Sequence, residues 1–170
     1  MNRVLRLCIV IAVGCMTASS TAFASNIRPN SYAWSENAGW INFAPNAGPG
    51  VTVSSTGIAG YAWAENLGWI NFGPFPNGVT NNGTGTLGGY AWSENAGWIN
   101  FAPIVNGVAT PVIINPATGV FTGYAWGENI GWINFDVPSP VTVTLAPSLQ
   151  GAASRKVHGG AGAFDLPLAP

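Results

Sequence analysis

One twelve-residue string dominates this chain: YAWSENAGWINF at Tyr32 returns as YAWAENLGWINF at Tyr61, as YAWSENAGWINF at Tyr90 and as YAWGENIGWINF at Tyr124. Identity this high over twelve residues means that one structural unit is used four times. The copies start at 32, 61, 90 and 124, so the first two intervals are 29 residues and the last is 34. The longer interval implies an insertion in the loop around Ile104 to Pro111. A unit of this length buries too little surface to fold alone, so the fold must come from copies associating with one another.

Each copy reads as a β-hairpin. Tyr-Ala-Trp is a β-prone stretch, Glu-Asn-x-Gly is a polar turn, and Trp-Ile-Asn-Phe is a second β-prone stretch. A type I turn running into a residue with positive φ is a common three-residue connection, and Gly39, Gly68, Gly97 and Gly131 fill that position without a Cβ penalty. Shorter β-prone pieces lie between the hairpins, at Val51–Val53, Val112–Ile114 and Val141–Leu145, with a weaker one near Val79. Ser55-Thr56-Gly57 and Ala117-Thr118-Gly119 look like turns returning the chain to the next tyrosine strand. With 23 glycines and 13 prolines, no stretch sustains a helical period. The expected fold is all-β: four tandem three-stranded antiparallel repeats stacked as a small propeller-like or solenoid-like domain over residues 25–145. The segment from Val141 to Leu145 is placed to complete the first copy, but the offsets alone do not decide between a closed ring and an open stack.

Turn chemistry favours a register with Glu36 opposite Trp40 and Trp34 opposite Asn42. That register puts Tyr32, Trp34, Glu36, Trp40 and Asn42 on one face and Ala33, Ser35, Ile41 and Phe43 on the other. A one-residue slip would redistribute them, joining Trp34 and Tyr32 with Ile41 and Phe43. Aromatic planes beside a carboxylate and an amide suit stacking on sugar rings with hydrogen bonds to their hydroxyls. The candidate stacking residues are Trp34, Trp40, Trp63, Trp69, Trp92, Trp98, Trp126 and Trp132. Their polar partners would be Glu36, Asn42, Glu65, Asn71, Glu94, Asn100, Glu128 and Asn134. The simpler expectation is that the tryptophans fill space between copies, each burying about 150–250 Å² worth roughly 4–6 kcal/mol before entropy, while the glutamates cap their turns.

Other chemistry finds little support. Paired-carboxylate catalysis needs two acids in different environments, and equivalent copies do not supply them. One glutamate per turn is thin for calcium, which wants six or more oxygens. His158 is the only histidine, too little for a zinc site or a triad. No phosphate loop or dinucleotide fingerprint occurs. The reading is therefore of a protein that is not an enzyme, with no cofactor and no metal.

The first residues carry Arg3 and Arg6, an apolar run from Leu7 to Val13, and small residues to Ala24. This reads as a secretory signal peptide over 1–24, cleaved after Ala24; a lipoprotein signal ending at Cys15 is the lesser alternative. The run is too short to span a membrane. Both cysteines, Cys8 and Cys15, would leave with it, so the mature chain would hold no disulfide. Charged residues make up only 6% of the chain, and Arg28, Arg155 and Lys156 are outnumbered by six acids, so nucleic-acid binding has no electrostatic footprint.

The segment Tyr32–Phe135 resembles the aromatic GYAWxENxGWINF repeats of exported or surface proteins of bacteria, which implies location and architecture rather than activity. The tail over 146–170 resembles the opening of a β-domain that follows repeat arrays in large exported bacterial proteins. It carries a Ser-Arg-Lys-x-His-Gly element at Ser154–Gly159 and an Ala-Gly-x-Phe-Asp element at Ala161–Asp165. That resemblance implies a truncated piece of something longer. The functional expectation is a non-catalytic secreted or cell-surface spacer, scaffold or adhesive module, whose partners would be cell-envelope components or extracellular polysaccharide. The alternatives are a glycan-binding module using the repeated aromatics, and the non-catalytic part of a larger exported enzyme. The sequence leaves the oligomeric state open.

Overall fold

The glycine of each Glu-Asn-x-Gly turn sits in the left-handed region, at φ values of 76°, 72°, 73° and 71° for Gly39, Gly68, Gly97 and Gly131. This is the type I turn with a following positive-φ residue. A computed structural model describes residues 24–144; the expected signal peptide with Cys8 and Cys15, and the tail from residue 145 with His158, lie outside the described residues. The four hairpins pair Tyr32–Ser35 with Gly39–Asn42, Ile58–Ala64 with Gly68–Asn71, Tyr90–Ser93 with Gly97–Asn100, and Tyr124–Gly127 with Gly131–Asn134. The described residues contain no helix, so the all-β expectation holds.

The register differs from the one expected. Trp34 pairs with Trp40 and Tyr32 with Asn42, while Ser35 pairs with Gly39. Glu36 therefore lies in the turn rather than opposite Trp40. The shift is two residues, an even number, so the division of side chains between faces survives it.

Copies join edge to edge rather than face to face. Asn42 pairs with Trp63, Asn71 with Trp92, Asn100 with Trp126, and Asn134 with Trp34. The last of these pairings closes the eight strands into an antiparallel barrel. Asn42 meets the first residue of YAW within its hairpin but the third across each junction, a slip of two residues; four such steps give a stagger of eight around the ring. Eight strands with this stagger tilt by about 36° and enclose a space just wide enough for side chains to fill.

The inward face supplies those side chains. Ala33, Ala62, Ala91 and Ala125 alternate with Ile41, Ile70, Ile99 and Ile133, all buried. Phe43, Phe72, Phe101 and Phe135 seal the end away from the turns. Their centroids are 5.2, 5.6, 5.9 and 5.6 Å apart in cyclic order.

Below the phenylalanines the linking pieces make a second circuit. Val51–Val53 pairs with Ser25–Asn26 and with the start of Ile58–Ala64, Thr80–Asn81 with Leu87–Gly88, and Ile113–Ile114 with Phe121–Thr122. Bridges from Gly57 to Thr80, Thr86 to Ile113 and Val120 to Thr142 join these pairs. The chain's two ends close the circuit: Ile27 bridges Val143, the Arg28 amide donates to the Thr142 carbonyl at 2.8 Å, and the Thr144 amide donates to the Asn26 carbonyl at 2.9 Å. The segment after the last copy thus completes the first. Where a strand passes between circuits it bends at Gly60, whose φ of 92° suits glycine and whose added Cβ would fall on the Gly50 carbonyl oxygen. The expected insertion is a two-stranded projection, Ile104–Val105 with Val108–Ala109, turned by Asn106 and Gly107.

Candidate functional site

Strand alternation sends Tyr32, Trp34, Trp40 and Asn42 outward because Ala33, Ser35 and Ile41 point in. All eight tryptophans lie on the outer surface with 36–51% of their area exposed. They do not fill space between copies. The reason is volume: an eight-stranded barrel has room for alanine, isoleucine and phenylalanine layers and not for eight indoles.

Outside, each copy assembles a triplet. Trp40 is the middle ring of the first, with Trp34 edge-on at 4.9 Å and Tyr32 edge-on at 6.1 Å. Trp69, Trp98 and Trp132 hold the same place, with the partner tryptophan at 5.0, 4.8 and 4.8 Å and the tyrosine at 6.2, 6.1 and 6.2 Å. Such cross-strand pairs contribute about 0.5–1.5 kcal/mol to their hairpin beyond area burial. Two triplets have neighbours of their own. Gly48 packs against the Trp69 ring, where a Cβ would come within 2.6 Å, and Tyr32 bridges Pro140 through its backbone.

The polar candidates divide. The Oδ1 of Asn42, Asn71, Asn100 and Asn134 accepts from the backbone amide two residues on, at 2.8–2.9 Å. This Asx turn fixes the amide plane. Each Nδ2 makes no hydrogen bond among the described residues, and each of these asparagines pairs across its junction with the tryptophan of the next copy. Glu36, Glu65, Glu94 and Glu128 are exposed in the turns, and among the described residues none makes a hydrogen bond, so they do not cap those turns. The structure does not bring them together: no three His, Cys, Asp or Glu side chains converge among the described residues.

The residues that serve the turns are asparagines whose part the sequence reading missed. Asn66 Nδ2 donates to the Ala38 carbonyl at 3.2 Å, Asn95 to Leu67 at 3.0 Å, Asn129 to Ala96 at 3.2 Å, and Asn37 to Ile130 at 3.2 Å. Each turn is thus clasped to the one before it, all the way round. The invariant Asn of Glu-Asn-x-Gly was the available signal. Buried Ser35 and Ser93 donate to the Ile130 and Leu67 carbonyls as well, and no buried side-chain polar atom lacks a partner among the described residues.

The surface around the triplets is acidic. Among the described residues Arg28 is the one basic side chain, against Glu36, Glu65, Glu94, Glu128 and Asp136. No helix of the described residues is long and apolar enough to cross a membrane. Comparison with known proteins gives no match to a family model, to a curated protein or to a solved structure.

Proposed function

We propose that this chain is an exported, non-catalytic carbohydrate-binding ring in which the four repeats act as equivalent units, each presenting one Tyr-Trp-Trp triplet as a sugar-stacking platform. The observation that carries the reading is the exposure of all eight tryptophans around a core that is complete without them. Packing accounts for the sameness of alanine, isoleucine and phenylalanine across copies. It does not account for the sameness of the outward-facing Tyr, Trp and Trp, whereas the Asn also holds its Asx turn.

The chemistry fits a neutral glycan. The apolar C–H faces of a pyranose lie against indole, and a fixed Asn42-type amide offers its N–H groups to a ring hydroxyl; aromatic walls with a few placed polar groups are the usual composition of such sites. The turn glutamates would accept from further hydroxyls and repel polyanions. The signal peptide read at 1–24 and the likeness to exported bacterial repeats support a place outside the cytoplasm, where extracellular polysaccharide or cell-envelope glycan is the available partner.

Affinity electrophoresis tests this reading. The full chain should be retarded by at least one neutral polysaccharide, and Trp40→Ala combined with Trp69→Ala, Trp98→Ala and Trp132→Ala should abolish the retardation while leaving a cooperative melt. Unretarded migration in galactomannan, hydroxyethylcellulose and dextran gels alike would return the protein to a purely structural spacer or scaffold.

A further inference from the structure

Three observations bear on how many ligands the ring holds at once. The outer aromatic contacts are confined within copies: Trp34 with Trp40 and Tyr32 with Trp40, and their counterparts, while no ring pair joins one triplet to the next among the described residues. An asparagine stands at each junction, Asn42 beside Trp63, Asn71 beside Trp92, Asn100 beside Trp126 and Asn134 beside Trp34. The surface is therefore four separate platforms rather than one continuous aromatic band.

The ring also fixes their directions. Four hairpins share one closed barrel, so successive platforms look outward about a quarter-turn apart on a convex surface. Closure holds this arrangement, since pairing of Asn134 with Trp34 and the seam of Ile27 with Val143 leave no free edge along which the ring could open flat. A stiff sugar chain resting on one platform runs tangent to the barrel and leaves the others behind. Where geometry forbids simultaneous engagement by one ligand, the gain from multiple sites on one chain is lost. What remains is the capacity to hold different chains.

Resting on the carbohydrate reading above, we infer that the ring is a tetravalent cross-linker of neutral polysaccharide, each triplet gripping a separate chain. Binding and bridging are then separable properties. One intact platform suffices to bind, two opposite ones to bridge a pair of chains, and three or four to build a network.

Light scattering of galactomannan, hydroxyethylcellulose and dextran solutions titrated with the full chain tests this. Scattering should rise to a maximum at an intermediate protein-to-polymer ratio and fall again at excess protein, with whichever polymer retards the chain in a gel. The one-platform variant Trp69→Ala/Trp98→Ala/Trp132→Ala should still be retarded in that gel yet scatter no more than polymer alone, and Trp69→Ala/Trp132→Ala should give an intermediate signal. The calorimetric stoichiometry of the intact chain with a hexasaccharide of that polymer, which needs no variant to fold, should approach four per ring.

A retarded chain that never raises scattering, a stoichiometry of one, or a one-platform variant that scatters like the intact ring would each overturn the cross-linking inference and leave carbohydrate binding standing. Failure of all three polymers to retard the chain would remove both.

Discussion

Gly127 and Ile130 offer the sharpest test of the packing. The residue before each turn and the one inside it differ between copies: Ser35 with Ala38, Ala64 with Leu67, Ser93 with Ala96, and Gly127 with Ile130. A Cβ on Gly127 would lie 2.7 Å from Ile130 Cγ1, 3.3 Å from its Cδ1 and 3.5 Å from Ile99 Cγ1. Gly127→Ala should therefore cost about 1–3 kcal/mol in overpacking, offset by about 0.4–1 kcal/mol from the stiffer unfolded chain. Ile130→Leu moves the branch one carbon outward and rebuilds the Ala64–Leu67 pair of the second copy; alone it should cost under about 1.5 kcal/mol. In the double variant the clash is gone, so the two changes together should cost less than Gly127→Ala alone. The coupling energy should favour the double variant by about 1–3 kcal/mol, read from urea midpoints at constant m. Additive effects within about 0.5 kcal/mol would refute the claim that these two positions share one volume.

Asn95→Ala removes the donor to the Leu67 carbonyl and should cost about 1 kcal/mol, seen as a lowered melting temperature, because Ser93 at 3.4 Å only partly replaces it. Gly60→Ala, which drives a Cβ into a backbone carbonyl at positive φ, should cost about 3 kcal/mol or more, whereas Gly107→Ala, with positive φ but open space around it, should cost about 1–2 kcal/mol by denaturant titration. Since the chain's eight tryptophans all lie in the triplets with 36–51% exposed, iodide should quench their fluorescence in the folded chain. At about 0.15 M ionic strength a Debye length of about 8 Å limits repulsion by the turn glutamates, and a chain untouched by iodide would contradict the exposed belt. Excising residues 61–89 joins Gly60 to Tyr90 at a natural Gly-Tyr step but leaves six strands, too narrow for the isoleucine and phenylalanine layers. That variant should show no cooperative melt as a monomer by calorimetry and size exclusion.

The hairpins, their glycine turns and the insertion before Pro111 were legible because each depends on local rules, namely β-prone runs, positive φ and intervals in a repeat. The offsets left open whether the segment from Val141 completes the first copy, which its bridges to Ile27 and Val120 now show. The face division was legible for the same reason. What the sequence did not disclose was which face is inside. Size suggested the tryptophans, and that inference holds where two surfaces pack against each other over open ground. In a closed barrel the interior is bounded, and the informative residues are the small ones, Ala33 and Ser35, whose side marks the enclosed volume. The register is not legible from turn chemistry alone, because Glu36 suits a last strand residue by spacing while Ser35–Gly39 already ends the ladder.

The alternation between copies fits the closure that the strand pairing establishes. The first and third copies are identical over twelve residues and carry alanine at the turn position that points in, Ala38 and Ala96; the second and fourth carry Leu67 and Ile130. In an open stack each copy meets only its neighbours, so the first and third copies share no common space. In a ring of four, the second and fourth copies stand opposite one another, and the end of the barrel near the turns is one small space reached from all four sides. Two large side chains from opposite copies and two alanines between them fill it. The serines follow from the same arithmetic of space: Ser35 and Ser93 lie beside the alanines and donate to the Ile130 and Leu67 carbonyls of the copies before them. Ala64 and Gly127, beside the larger residues, have no hydroxyl to place. The inner positions thus vary in a pattern that a closed ring of four accommodates, while the outer Tyr, Trp and Trp are the same in every copy, as the four equivalent platforms proposed above would require.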